Sequence, residues 1–185
     1  MKILISTTFL FVQFSGLFAQ FLNLKDKTVY KDSTLKALYS GVLRLNDQEG
    51  NLLMSGQILN GKRNGLILTY HKNGKLYGRM YFKNNKINGP IIYYSEVGKV
   101  LLRGNVFSDK QDGHWKWYYP NGQLSSDGFF KNGLKEGLWI YYYENGRIQS
   151  KGSYKMDKPF GNWLEFEETG TLEYQEVTAK LGDDK

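Results

Sequence analysis

Four lysines, Lys62, Lys86, Lys110 and Lys158, stand 24 residues or twice that apart, with Leu134 beside Lys135 filling the missing place. Lys75, Lys99 and Arg147 make a second row, and Arg79, Arg103 and Lys151 follow it four residues on. Cations repeated at a fixed period become stripes once the chain is stacked. Such stripes can dock electrostatically on anionic lipid head groups, lipopolysaccharide or an acidic protein. The competing reading is that lysine and asparagine solvate turns and blunt sheet edges. Aromatic rings supply the other chemistry. Trp117, Tyr119, Tyr141 and Tyr143 lie off the main apolar columns and are candidates for stacking on an envelope glycan or seating a protein partner.

Covalent and metal chemistry find little material. The chain has no cysteine, which removes thiol catalysis and thiolate metal sites. His71 and His114 belong to different repeats, and no second histidine or linked glutamate accompanies either. Asp112 and Glu136 precede glycines and suit turns, and no pair of carboxylates is marked out for glycoside hydrolysis. Ser125 and Ser126 lack a nucleophile-elbow setting, and no glycine-rich loop ends in Gly-Lys-Ser/Thr. No catalytic residue, metal site or cofactor is expected, and the chain reads as a non-enzyme.

The elements that must position the cations and rings are set by a 24-residue period. Glycine falls at 41, 65, 89, 113, 137 and 161, and again at 50, 74, 98, 122, 146 and 170. Counting from the first series, position +2 is Leu43, Ile67, Ile91, Trp115, Trp139 and Trp163. Position +5 is Asn46, Tyr70, Tyr94, Tyr118, Tyr142 and Phe166, and position +11 is Leu52, Leu76, Val100, Leu124, Ile148 and Leu172. A third glycine at +15 (Gly56, Gly104, Gly128, Gly152) is broken by Met80, and +17 holds Ile58, Phe82, Val106, Phe130 and Tyr154.

This pattern predicts one β-hairpin per repeat. An aromatic strand meets Asn-Gly, where positive φ is cheap, and a second strand follows. A Lys/Asn/Gly-rich return loop then closes at Gly65, Gly89, Gly113 or Gly137. Equal parity puts +11 and +17 on one face. Positions +2 and +5 have opposite parity, so either the first strand is bulged or each face carries its own aromatic row. The +15 glycine would let a neighbouring ring lie across the strand, or would mark a bulge. The fold class is all-β, an elongated antiparallel meander of some eleven to thirteen strands in stacked hairpins. A closed barrel and a propeller compete with it, and 24 residues is too short for a propeller blade.

Along the chain, Met1–Gln20 reads MKILISTTFLFVQFSGLFAQ, expected to be a signal peptide over 1–19 cut before Gln20. A buried first strand or an uncleaved anchor would compete. Residues 20–40 form a lead-in or cap, 41–177 the array with units starting at 41, 65, 89, 113, 137 and 161, and 178–185 a tail. The expected location is periplasmic or extracellular in a bacterium, with no transmembrane segment after cleavage. Formal net charge is +7, unevenly spread: 22 basic and 11 acidic residues over 21–160, two and seven over 165–185. Export and the lack of a recognition element argue against nucleic acid as a partner.

The stretches GHWKWYYPNGQLSSDGFFKNGLKEG, GLWIYYYENGRIQSKGSYK and GLILTYHKNGKLYGRMYFKNNKING resemble the MORN repeat in its bacterial variant form. The resemblance covers roughly residues 41–175, with unit 41–64 departing most, at Asn46 in the aromatic column. It implies a MORN-like β-hairpin array in which Gly113, Trp115, Tyr118, Gly122, Leu124, Gly128 and Phe130 determine the fold and none is catalytic. Similar bacterial variants are catalogued as YwqK-family antitoxins, while other MORN arrays are similar to scaffolds, dimerisation platforms and membrane-associating modules. The expected function is a protein–protein interaction or scaffold module. An envelope-associated binder of anionic lipid or glycan and a toxin-neutralising protein are the alternatives.

Overall fold

The structure, a computed structural model, describes residues 9–12, 20–23, 28–30 and 37–178. The expected signal-peptide cut after Ala19 and the tail beyond 178 lie outside the described residues. The chain divides into two compact units, Met1–Gly89 and Pro90–Lys185.

In the first unit β1 (Phe9–Val12), β2 (Gln20–Asn23) and β3 (Thr28–Tyr30) form a small antiparallel sheet. The repeats begin with β4 (Gly41–Asn46), β5 (Leu52–Leu59), β6 (Lys62–Tyr70) and β7 (Leu76–Lys83), and β8 (Lys86–Tyr94) carries the chain into the second unit. Val29, Leu43 and Ile58 are buried together, with Tyr39, Leu45 and Met54 against them. The second unit continues with β9 (Val100–Phe107), β10 (Lys110–Tyr118), β11 (Leu124–Lys131), β12 (Leu134–Tyr142), β13 (Ile148–Lys155), β14 (Lys158–Phe166) and β15 (Leu172–Thr178). Strands β4 to β15 follow one another in chain order as a twelve-stranded antiparallel meander of repeated hairpins. That order has β4 and β15 as its terminal strands.

The two turns of each repeat exchange the roles expected of them. The return connection is the tight one, two residues long with both φ angles positive: Asn60 and Gly61, Ser108 and Asp109, Asn132 and Gly133, Met156 and Asp157. That is type I′ geometry, whose twist matches the flanking strands. The Asn-Gly turn is looser. Tyr119 N–H donates to the Gln123 carbonyl at 2.8 Å and Gly122 N–H to the Tyr119 carbonyl at 2.8 Å. Only the glycine there takes positive φ. The asparagine instead accepts a backbone N–H two residues on, as from Gln123 to Asn121 (2.8 Å) and from Arg147 to Asn145 (2.9 Å). Short polar side chains favour such local bonds over extended backbone.

Two further expectations are corrected by bulges. The glycines thought to end the return loop lie inside strands: Gly137, at φ 69°, is the fourth residue of β12. The β11–β12 register slips there, between Asp127 and Phe129 on the facing strand. In the second strand of each hairpin the pairing also slips by one, Trp117 facing Ser126 but Tyr118 facing Leu124. One extra residue reverses facing, so +11 and +17 do not share a face. The +2, +4, +15 and +17 residues make one face, and +1, +3, +5, +11, +14 and +16 the other. Each face therefore carries its own rings, which the opposite parity of +2 and +5 had left open.

Candidate interaction surface

The first face is a continuous ladder of rings in the second unit. Trp115 stacks on Trp117 (centroids 5.6 Å apart), and Trp117 packs on Trp139 (5.6 Å). Phe130 meets Trp139 edge-on at 5.1 Å, and Tyr154 does the same to Trp163 at 5.0 Å. Tyr141 stacks on Trp139 at 6.0 Å. Each aromatic pair of this kind adds about 1 kcal/mol beyond its buried area. Each +2 tryptophan N–H also donates to the preceding hairpin, Trp115 to the Asn105 carbonyl (2.9 Å), Trp139 to that of Phe129 (3.1 Å) and Trp163 to that of Ser153 (3.2 Å). The +15 glycines make room for them: a Cβ on Gly104, Gly128 or Gly152 would overlap the ring of Trp115, Trp139 or Trp163.

The four rings expected to stand apart from the columns are built into this framework. Trp117 and Tyr141 occupy +4, which shares the +2 face, and both are half-buried in the ladder. Tyr119 and Tyr143 reach over the turns instead. The Tyr119 hydroxyl donates to the Tyr142 carbonyl at 2.6 Å and that of Tyr143 to the Phe166 carbonyl at 2.8 Å, bracing one repeat on the next.

Cations divide between exposed and committed. Lys62, Lys86, Lys110 and Lys158 open the first strand of their hairpins, directly after the tight turn, and all four are exposed. The second row is partly used up in holding turns. Lys99 Nζ donates to the Pro120 and Asn121 carbonyls (3.1 Å each), and Arg147 Nη1 to the Glu168 carbonyl (3.1 Å). Lys135 caps the ladder, its Nζ 4.3 Å from the Trp139 centroid and 2.8 Å from the Tyr141 hydroxyl.

Acidic residues beside the glycines are committed to turns. Asp112 Oδ2 accepts the Asn132 N–H at 3.2 Å and Glu136 Oε2 the Met156 N–H at 3.1 Å, each twenty residues on. His71 lies edge-on to Tyr77, 5.0 Å between centroids. His114 Nε2 contacts Asp127 Oδ1, and Lys116 Nζ holds the other carboxylate oxygen at 3.2 Å. Among the described residues no group of three or more His, Asp or Glu could hold a metal.

Burial, and next the hydrogen bond with the Tyr141 hydroxyl, push the Tyr154 pKa above its ordinary 10.0. A raised folded pKa gives stability that is complete below the unfolded value and lost as pH climbs through the folded one. The unfolding midpoint should therefore fall as pH rises beyond about 10. In Tyr154→Phe that decline should be shallower, as thermal unfolding followed by circular dichroism at stepped pH would register.

The second face was the part that sequence columns did not reveal. There Phe129 is 48% exposed and Leu138 56%, and His114 stacks against Phe129 at 6.3 Å. With Ile140, Asp127 and Glu136 they line a concavity of about 460 Å³. The +1 and +16 columns could have pointed to it, since alternation along the strands sets them opposite the +2 and +17 columns.

Three segments, residues 63–84, 111–132 and 135–156, match the family model of the MORN repeat variant. No curated protein sequence matches the chain. Among solved structures, an S. aureus TarM mutant in complex with fondaparinux, α-GlcNAc-glycerol and UDP is similar at 9% identity and a TM-score of 0.35, over 64% of this chain and 21% of that one. A second TarM structure is similar at 12% identity and a TM-score of 0.32, over 69% and 22%. The chain thus spans about a fifth of the length of those proteins. Residues 63–156 form a domain of the MORN-repeat family, a β-structure made of repeated hairpins.

Proposed function

We propose that this is an exported protein–protein interaction or scaffold module that meets its partner through the second face of its hairpins. The observation that carries the reading is the half-exposed Phe129 and Leu138 beside the concavity, on a face whose opposite side is filled by its own rings. Exposed apolar side chains grouped around a hollow are what a partner's side chains can bury. The first twenty residues support export, and the mature chain would then begin at Gln20. Purification from the exporting cell should recover one protein partner at a fixed stoichiometry. Recovery of the chain alone, at low and moderate salt, would overturn the reading. If that partner is a toxin inactivated on binding, the module is a neutralising one.

The exposed lysines Lys62, Lys86, Lys110 and Lys158 favour a second reading, association with an anionic envelope surface. On that reading the chain sediments with anionic vesicles at low salt and is released at high salt, because screening weakens exposed charges. The rings Trp117, Tyr119, Tyr141 and Tyr143 lend it no support for glycan stacking, since their contacts lie within the ladder and turns.

A further inference from the structure

We propose that the concavity on the second face of the Pro90–Lys185 unit takes an extended partner segment in which an apolar side chain and a lysine or arginine stand two residues apart. This rests on the interaction-module reading and supplies its site and the chemistry of its partner. The floor is apolar: Phe129, Leu138 and Ile140 line it, the first two about half exposed. An apolar side chain seated there covers surface now in water, which favours its binding.

The charges at the lip decide the rest. Asp127 is held by both Lys116 and His114, so its carboxylate is already answered within the chain. Glu136 accepts one backbone N–H, from Met156, and has no cationic partner among the described residues. Its negative charge stands at the rim beside Leu138, in a chain whose formal charge is +7. A partner's lysine or arginine is attracted to that spot, and an acidic residue would meet repulsion. Pairing runs Phe129 opposite Glu136 and Asp127 opposite Ile140, so apolar and acidic positions alternate across two adjacent strands. An extended segment turns every second side chain to the same side, so an apolar residue and a lysine or arginine two positions apart can address both.

The test uses the full chain and three dye-labelled synthetic peptides of equal length, followed by fluorescence anisotropy. One repeats Ile-Ser-Lys-Ser (lysine–isoleucine), one Ile-Ser-Glu-Ser (glutamate–isoleucine), and one Ser-Ser-Lys-Ser (lysine–serine), so that each pair falls on one side of the extended chain. The lysine–isoleucine peptide should bind tighter than either of the others by about fivefold or more. Glu136→Gln keeps an oxygen for the Met156 N–H while removing the charge. It should erase the preference for lysine over glutamate and leave the unfolding midpoint in place. Leu138→Glu, at an exposed position, should abolish binding of the lysine–isoleucine peptide. Equal binding of the lysine–isoleucine and glutamate–isoleucine peptides, indifference to Leu138→Glu, or no binding at all would each overturn the assignment. So would self-association of the chain that Leu138→Glu disperses, since the occupant would then be a second copy. A stoichiometric cellular partner that survives Leu138→Glu would leave the interaction reading standing and remove only this site.

Discussion

Trp139→Ala should lower the unfolding midpoint by roughly 10 °C, the equivalent of about 3–5 kcal/mol for an emptied tryptophan site in a domain of this size. Trp139 is 2% exposed and sits at the crossing of the ladder, against Trp117, Phe130, Tyr141 and Tyr154. Its loss removes the N–H that the Phe129 carbonyl accepts, and Lys135 loses the ring beneath its ammonium. The surrounding rings belong to a sheet whose strand spacing is fixed by backbone hydrogen bonds, so they cannot close the gap. Trp117→Ala is the informative companion. Read by columns, that ring is free and its loss costs nothing. Packed on both Trp115 and Trp139, it should cost about 2 kcal/mol. Thermal unfolding of both variants decides the matter: an unchanged midpoint for Trp117→Ala would mean that +2 and +4 do not share a face.

What could be read in the residues, and what could not, follows from range. The 24-residue spacing of glycine and the aromatic columns need only local rules, and they delivered the hairpin, its strand count and the fold class. The facing of Leu124 relative to Phe130 depended on one unpaired residue near Ser125, which carries no chemical mark of its own. Gly137 did carry a mark, but a glycine before a strand and a glycine bulging within one look alike in a sequence. The sharing of work between Lys99 and the turn at Pro120–Asn121, or Arg147 and Glu168, spans 21 or 22 residues. Nothing in either partner alone announces it. The same holds for Glu136, whose turn bond at Met156 was foreseeable in kind while its place on the rim beside Leu138 was not. The hollow itself lies opposite the tryptophans because alternation along each strand turns Leu138 away from the side of Trp139 and Phe129 away from that of Gly128, which faces Trp115.

Gly128→Ala tests the interlock between repeats, and its sign is set by two opposed effects. Gly128 has none of the positive φ seen at the turn glycines, so alanine fits its backbone. On that account alone the change would stabilise by about 0.4–1 kcal/mol, through the unfolded chain. The added Cβ, however, would overlap Trp139 Cδ2 and Cε2 and lie 2.7 Å from its Cε3. These are atoms of a ring fixed on its other sides by Phe130 and Tyr154, not the loose end of a flexible chain. Overpacking of this sort costs about 1–3 kcal/mol or more, and here it should win, giving a net loss of about 2 kcal/mol. The clash requires the ring, so in a Trp139→Ala background the same alanine should be neutral or stabilising. The four midpoints therefore form a double-mutant cycle with a coupling of about 2–3 kcal/mol between residues eleven apart in sequence and adjacent across the hairpins. Gly122→Ala provides the contrast. It has open space around it but φ at 97°, so its cost of about 1 kcal/mol should be the same with or without Trp139. Additive losses for Gly128→Ala and Trp139→Ala would mean that the tryptophan does not lie across the glycine, and that the repeats are held in register by their backbones alone.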